Sequence, residues 1–219
     1  MRRRTMCSPF SALFAPALLA MGLATAMAAS TAQAADFSDP DWPCIQRKVP
    51  HLSIGQMWAG PVIDDALQKS WRDNDEIHRL ASVLSLRRTP LEKTDEMIAN
   101  FAERDDIGKD KADRLTTLFA GIFTLIDKER TEIIAGIARY AHKQDELADR
   151  IDTRRDTLQE LSEATEPDYD RIEELQDQIT WDSRIFKDRA QSLTYVCETP
   201  VILEKRAFTL ARSIQQRLP

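Results

Sequence analysis

The sequence predicts an all-α chain: a long antiparallel coiled-coil hairpin with a helical-bundle base and an N-terminal irregular strap. Three observations predict it. A proline-free stretch from Lys109 to about Glu163 keeps an unbroken helical period. A second periodic stretch, from about Asp168 to Leu218, follows a short break at Glu166-Pro167-Asp168. The apolar positions of the two stretches come into register when the chain is folded back about Pro167.

Alternate steps of 3 and 4 from Ala112 to Leu161 visit 15 positions, of which 11 are apolar; the exceptions are Thr116, Arg130, Gln144 and Arg154. That alternation over about seven heptads is a coiled-coil seam. At about 1.5 Å per residue the first arm is roughly 80 Å long. The second seam runs through Ile172, Leu175, Ile179, Asp182, Phe186, Arg189, Leu193 and Val196. It continues past Pro200, which predicts a kink or two collinear helices meeting there. Leu161 then faces Ile172, Leu147 faces Phe186, Ile137 faces Val196 and Phe119 faces Ile214, and each pair of numbers sums to 333. Matched arms joined by a short polar loop demand antiparallel neighbours. The same register sets Arg154 near Asp182 and Gln144 near Arg189. Such polar seam residues fix register at some cost in stability.

The ends of the arms carry more apolar surface than two helices can cover: Leu115, Leu118, Ile122, Leu125 and Ile134 on the first, Val201, Ile202 and Phe208 on the second. The segment between residues 62 and 104 is the expected cover. The base is therefore expected to comprise 62–140 with 193–219. From 141 to 192 the off-seam residues are polar or charged, as in Lys143, Asp145, Glu146, Asp149 and Arg150, so this half is expected to project as a bare stalk. Gly121 and Gly136 inside the first arm each cost about 1 kcal/mol against alanine. Each marks either a close approach of another helix or simple tolerance.

The shorter elements follow. Residues 35–61 hold Pro40, Pro43, Pro50, Pro61, Gly55 and Gly60, which excludes a long helix. Trp42, Ile45, Leu52, Ile54, Met57 and Trp58 suggest a strap packed on the helical body. From Val62, Ile63, Ala66, Leu67 and Trp71 share a face. Asp73 or Asn74 caps a helix carrying Ile77, Leu80, Ala81 and Leu84. Thr89 is expected to cap the next helix, with Pro90 in its first position, running to about Arg104. Asp105-Asp106-Ile107-Gly108 is the next break.

The N-terminus reads as an export signal. Arg2, Arg3 and Arg4 precede an apolar run from Phe10 to about Ala29, and Ala32-Gln33-Ala34 fits a small-x-small cleavage pattern. A signal peptide of residues 1–34, cut after Ala34, places the mature chain in the periplasm or outside the cell; an uncleaved anchor is the alternative. The chain carries −6, and its first 34 residues hold three arginines and no acid, which leaves −9 for the remainder. An acidic exported chain argues against nucleic acid as a partner and offers no basic patch for anionic lipid. Cys7 departs with the signal. Cys44 and Cys197 are an even pair in a compartment that permits a disulfide, and are expected to bond; two buried free thiols are the alternative.

Nothing points to catalysis. His51, His78 and His142 lie far apart without ligand spacing, and there is no HExxH, CxxC or glycine-rich phosphate loop. Neither Asp73/Asp75/Glu76 nor Asp105-Asp106 matches a calcium loop. No enzyme activity, metal, cofactor or small-molecule substrate is expected. The expected function is an exported scaffold or adaptor in a cell-envelope protein complex; the alternative is a periplasmic holdase-type chaperone for exported clients. Trp42 and Trp58 are candidate docking anchors, or else plugs of the base. Glu163 and Asp170 mark the tip as a partner-binding surface. Homo-oligomer formation stays open. In outline the chain resembles periplasmic helical-hairpin proteins, tentacled chaperones and coiled-coil adaptors, in architecture alone.

Overall fold

The computed structural model describes residue 39 and residues 41–104 and 110–219. The expected signal segment, its cut after Ala34 and the break at 105–108 lie outside these residues. Among the described residues the chain forms six helices and no strand: α1 (Ile54–Met57), α2 (Leu67–Ser70), α3 (Asp75–Ser85), α4 (Leu91–Ala102), α5 (Lys111–Glu163) and α6 (Tyr169–Gln215). Helices α5 and α6 pack along each other as the expected hairpin. Asp168 starts the returning arm, its carboxylate accepting from the Arg171 backbone N–H at 3.0 Å.

The core lies where α1–α4 meet the open ends of the hairpin. Trp71, Leu84, Ile98, Leu115, Leu118, Phe119, Ile122, Ile126, Leu203 and Leu210 are almost fully buried there. Leu115, Leu118 and Ile122 are the off-seam residues that two helices alone leave uncovered, whereas Ile202 and Phe208, expected under the same cover, stay 48% and 42% exposed. Beyond Ala141 the buried side chains of α5 thin to Gln144, Leu147 and Ile151, and Leu175 is the counterpart on α6. One seam per arm suffices where nothing else packs.

Local chemistry explains most element ends. The Asn74 side chain accepts from the Glu76 and Ile77 N–H groups, both at 3.1 Å, and caps α3. The helix after it starts differently from expectation. Pro90 itself stands at the cap of α4, and the Thr89 hydroxyl turns back to donate to the Val83 carbonyl at 2.9 Å. Thr89 thus serves the end of α3, adding a second donor to the Val83 carbonyl, which also accepts the Leu86 N–H at 3.3 Å, instead of the start of α4. The stretch from Val62 yields only the single turn of α2 before Trp71 is buried. Helix α6 runs unbroken through Pro200, whose buried ring sits against the seam and whose carbonyl accepts from Arg130 Nε at 3.3 Å.

The two internal glycines of α5 separate cleanly. A Cβ on Gly121 would lie 3.0 Å from the Trp71 ring and 3.1 Å from the Ala81 Cβ, so Gly121 lets α3 and Trp71 approach. A Cβ on Gly136 would meet only the Arg139 guanidinium at 3.8 Å. Gly136→Ala is therefore expected to stabilise the fold by up to about 1 kcal/mol through helix propensity. Gly121→Ala gains the same propensity but overpacks the α3 contact, which costs about 1–3 kcal/mol. Thermal melts of the two variants should move in opposite directions. Equal upward shifts would show that the Gly121 contact relaxes freely.

Asp95 on α4 fastens the end of α6: it accepts from Ser213 Oγ at 2.6 Å and pairs with Arg217 at 2.9 Å. The Ser213 hydrogen bond, followed by that of Arg217, holds its carboxyl below the ordinary carboxylate value. A depressed folded-state pKa contributes stability that is present above the ordinary value and is lost as the pH falls through the folded one. Acid unfolding of Asp95→Asn is expected to lose that component, so the gap from wild type should narrow between pH 5 and pH 2. A gap independent of pH would mean the carboxylate charge contributes nothing.

Candidate partner-binding surfaces

The strap lies on one flank of the α5–α6 pair, and side chains at four levels fasten it. Near residue 142, His142 Nε2 meets Asp41 at 2.7 Å. One step down, Cys44 and Cys197 form a disulfide with their Cα atoms 5.6 Å apart, as expected. Trp42, Ile134 and Ile137 close over that bond, and the Trp42 indole N–H donates to the Gln46 carbonyl. Further down, Arg130 reaches the Val49 carbonyl on the strap, the Pro200 carbonyl on α6 and, at 3.6 Å, Glu204. At the same level Thr131 donates to the Pro50 carbonyl at 2.9 Å. Asp127 then accepts the Leu52 backbone N–H at 2.7 Å and faces His51 at 3.0 Å.

Arg130 was legible in the sequence only as an exception in the seam. Its side chain is 4% exposed, and burial pushes its guanidinium down from the ordinary arginine value, opposed by Glu204 and Asp127. A buried guanidinium persists where donors meet fixed carbonyls, and Arg130 finds them on both the strap and α6.

The two strap tryptophans face inward. Trp42 is 7% exposed. Trp58 stacks on Phe119 with ring centroids 4.5 Å apart and donates its indole N–H to the Pro61 carbonyl at 2.7 Å. A Cβ at Gly60 would lie 2.5 Å from the Trp58 ring, so the ring's close approach requires glycine there.

The polar seam residues behave unequally. Arg154 pairs with Asp182, and Arg150 joins the same carboxylate at 3.3 Å. Gln144 does not meet Arg189; its amide donates to the Phe186 carbonyl at 3.1 Å. Tyr140 instead takes the Arg189 carbonyl at 3.2 Å, and the Arg189 side chain is left exposed. The partners of these residues therefore differ from those that the uniform register assigned. Cys197 is buried against Ile137, whereas Val196, the expected partner, is 43% exposed. Cys197, on the strap side of α6, bonds Cys44, and Val196 beside it lies at the edge of the seam.

At the tip, Glu163 and Asp170 are exposed, and Glu163 accepts from Gln159 at 2.9 Å. Nine acidic residues and one arginine lie between Asp156 and Asp177. A second surface was missed in the sequence. Trp181, Tyr195 and Ile202 are 63%, 70% and 48% exposed on the outer side of α6. Their spacings of 14 and 7 residues place them on one stripe, a signal available from the seam register.

Among the described residues no three His, Cys, Asp or Glu side chains gather as a metal site, and no helix is long and apolar enough to cross a membrane. Asp73, Asp75 and Glu76 sit at the start of α3, where Glu76 pairs with Arg114 at 2.6 Å. Compared with known proteins, the chain matches no family model, no curated protein and no solved structure.

Proposed function

We propose that this is an exported, non-enzymatic scaffold or adaptor that presents its hairpin to a protein of the cell envelope. The observation that supports this reading best is the strap. Disulfide, Arg130 clamp and inward tryptophans close one flank of the base, while charged faces and an acidic tip stay open to a partner. A disulfide closing so long a loop fits an oxidising compartment, as does the basic-then-apolar N-terminal pattern. Trp42 is buried and Trp58 is half-buried in its stack on Phe119, so recognition falls chiefly to the tip around Glu163 and Asp170.

The chaperone reading draws on a different feature, the exposed Trp181–Tyr195–Ile202 stripe, which offers apolar contact to unfolded clients. Photo-crosslinking in intact cells separates the two, with probes at Glu163, Asp170 and Trp181. One dominant adduct from the tip positions is the expected result. A smear of many proteins captured at Trp181 would favour the chaperone, and no capture at any position would sink both.

A further inference from the structure

The outer side of α6, away from α5, stands bare from Asp177 to Lys205. Because α6 follows α5 as a coiled coil, residues seven apart on it stay in line. One row on this side reads Trp181, Asp188, Tyr195 and Ile202, all exposed. The row beside it, three residues further on at each step, reads Asp177, Arg184, Gln191, Glu198 and Lys205, also all exposed. None of its four charged side chains has an ion-pair partner among the described residues. On the other side of the aromatic row lie Gln178, Ile185, Ser192 and Thr199, without charge. The strap borders the strip at Ile45 and Gln46, beside Thr194 and Glu198, and Ile45 adds exposed apolar surface there.

Read about Gln191, the charged row is its own complement. Arg184 and Glu198 stand seven residues to either side, Asp177 and Lys205 fourteen, acid against base both times. Two copies laid antiparallel, with their Gln191 side chains facing, therefore set Arg184 against Glu198 and Asp177 against Lys205, each twice. The same alignment puts Trp181 against Ile202 and brings the Tyr195 hydroxyl to the Asp188 carboxylate, which gives that acid a donor inside the apolar row. Arg184, one turn before Asp188 on its own helix, stands between that carboxylate and the other copy's Glu198. Lys187 lies at the strap-side edge. With it the strip holds three acids and three bases, a neutral surface on a chain of −6. Arg189 belongs to the seam row and Glu204 meets Arg130, so neither enters the strip.

We propose that the outer strip of α6 from Asp177 to Lys205 is a docking surface for a second copy of this chain, forming a two-fold antiparallel dimer centred on Gln191. The contact is isologous, so it closes at two copies. Apolar burial holds the pair, and the charges fix its direction, because a parallel pairing would set like charges together at all four positions. Salt screens exposed pairs, so it should loosen the dimer without abolishing it. Helices packed in this way cross at about 20°, so the arms diverge beyond the contact and leave the tip around Glu163 open. Failure of the dimer would therefore leave the adaptor reading standing, whereas its success occupies the stripe on which the chaperone reading draws.

Sedimentation equilibrium on the full exported chain over a range of concentrations tests this. Wild type is expected to pass from monomer to dimer and no further. Arg184→Glu and Glu198→Arg should each weaken the dimer about tenfold or more, since each sets like charges together twice, with an unchanged helical spectrum. Both reversals in one chain should restore it, and so should an equimolar mixture of the two single variants. Cysteines read the geometry: under mild oxidation Gln191→Cys should link two copies through its own thiols, while Asp177→Cys should link only when mixed with Lys205→Cys. A wild type that is monomeric at every concentration would overturn the proposal and leave the strip to another protein. A dimer indifferent to both single reversals, a joint reversal that restores nothing, or Asp177→Cys linking to itself would overturn it equally.

Discussion

Replacing Cys44 and Cys197 together with alanine is expected to lower the unfolding free energy by about 3–5 kcal/mol. The crosslink joins residues 153 apart in sequence, and closing so long a loop removes a large share of the denatured chain's freedom. The chain-entropy treatment puts that constraint at about 5 kcal/mol, and observed effects commonly fall below it. The variant also loosens the small cluster of Trp42, Ile134 and Ile137 around the sulfurs. Its effect on the strap should be uneven. Residues 41–48 hang on the disulfide and on the exposed His142–Asp41 pair, whereas residues 49–58 are held by Arg130, Thr131, Asp127 and the Trp58–Phe119 stack. Amide exchange should rise first in the former segment and little in the latter. Urea unfolding of oxidised, reduced and double-alanine protein measures the global term. Coincident midpoints for all three would show that the base holds the strap without the bond.

The hairpin was legible because one physical rule governs it over most of its length. An apolar residue every three or four positions, with polar residues elsewhere, leaves two helices a single way to meet, and Pro167 sets the fold-back point. The disulfide was legible from the expected compartment and from arithmetic, since only two cysteines follow the signal-like pattern. Less legible was everything decided by contacts distant in sequence. Gly121 and Gly136 look alike in one dimension and differ only because Trp71 and Ala81 arrive at the first. Thr89-Pro90 has the local form of a cap, yet the Thr89 hydroxyl donates to the Val83 carbonyl at the end of α3. The uniform register assigned Val196 to the seam, but Cys197 is the residue buried against Ile137, because periodicity carries no knowledge of which side the strap covers. The candidate surfaces followed the same division: the acidic tip is written in the composition, but the inward turn of Trp42 and Trp58 depends on what they meet.

Arg206→Met is expected to destabilise the protein by about 3–5 kcal/mol, more than most single changes on the hairpin. Arg206 is 6% exposed on α6, and its Nε and Nη2 both donate to the Leu84 carbonyl, at 2.8 and 2.6 Å. Its Nη1 donates to the Thr89 carbonyl at 2.9 Å. These carbonyls belong to the last turn of α3 and to the turn before α4, where the helix has no donors of its own and carries partial negative charge. One guanidinium therefore caps α3, fixes the α3–α4 turn and fastens both to α6. Burial pushes its pKa down, opposed by Glu129, but the group stays charged at neutral pH, so its hydrogen bonds are of the charge-assisted kind. Methionine fills much of the volume and supplies no donor, which leaves two carbonyls unpaired in a closed space. Lysine keeps the charge but cannot reach both carbonyls from one planar fork, so Arg206→Lys should recover only part of the loss. Thermal and urea unfolding of the two variants, with amide exchange at Leu86 and Thr89, reads the effect and its location. If Arg206→Met and Arg206→Lys both unfold with wild type, α3 and α4 are held by apolar packing alone and the cap is ornamental.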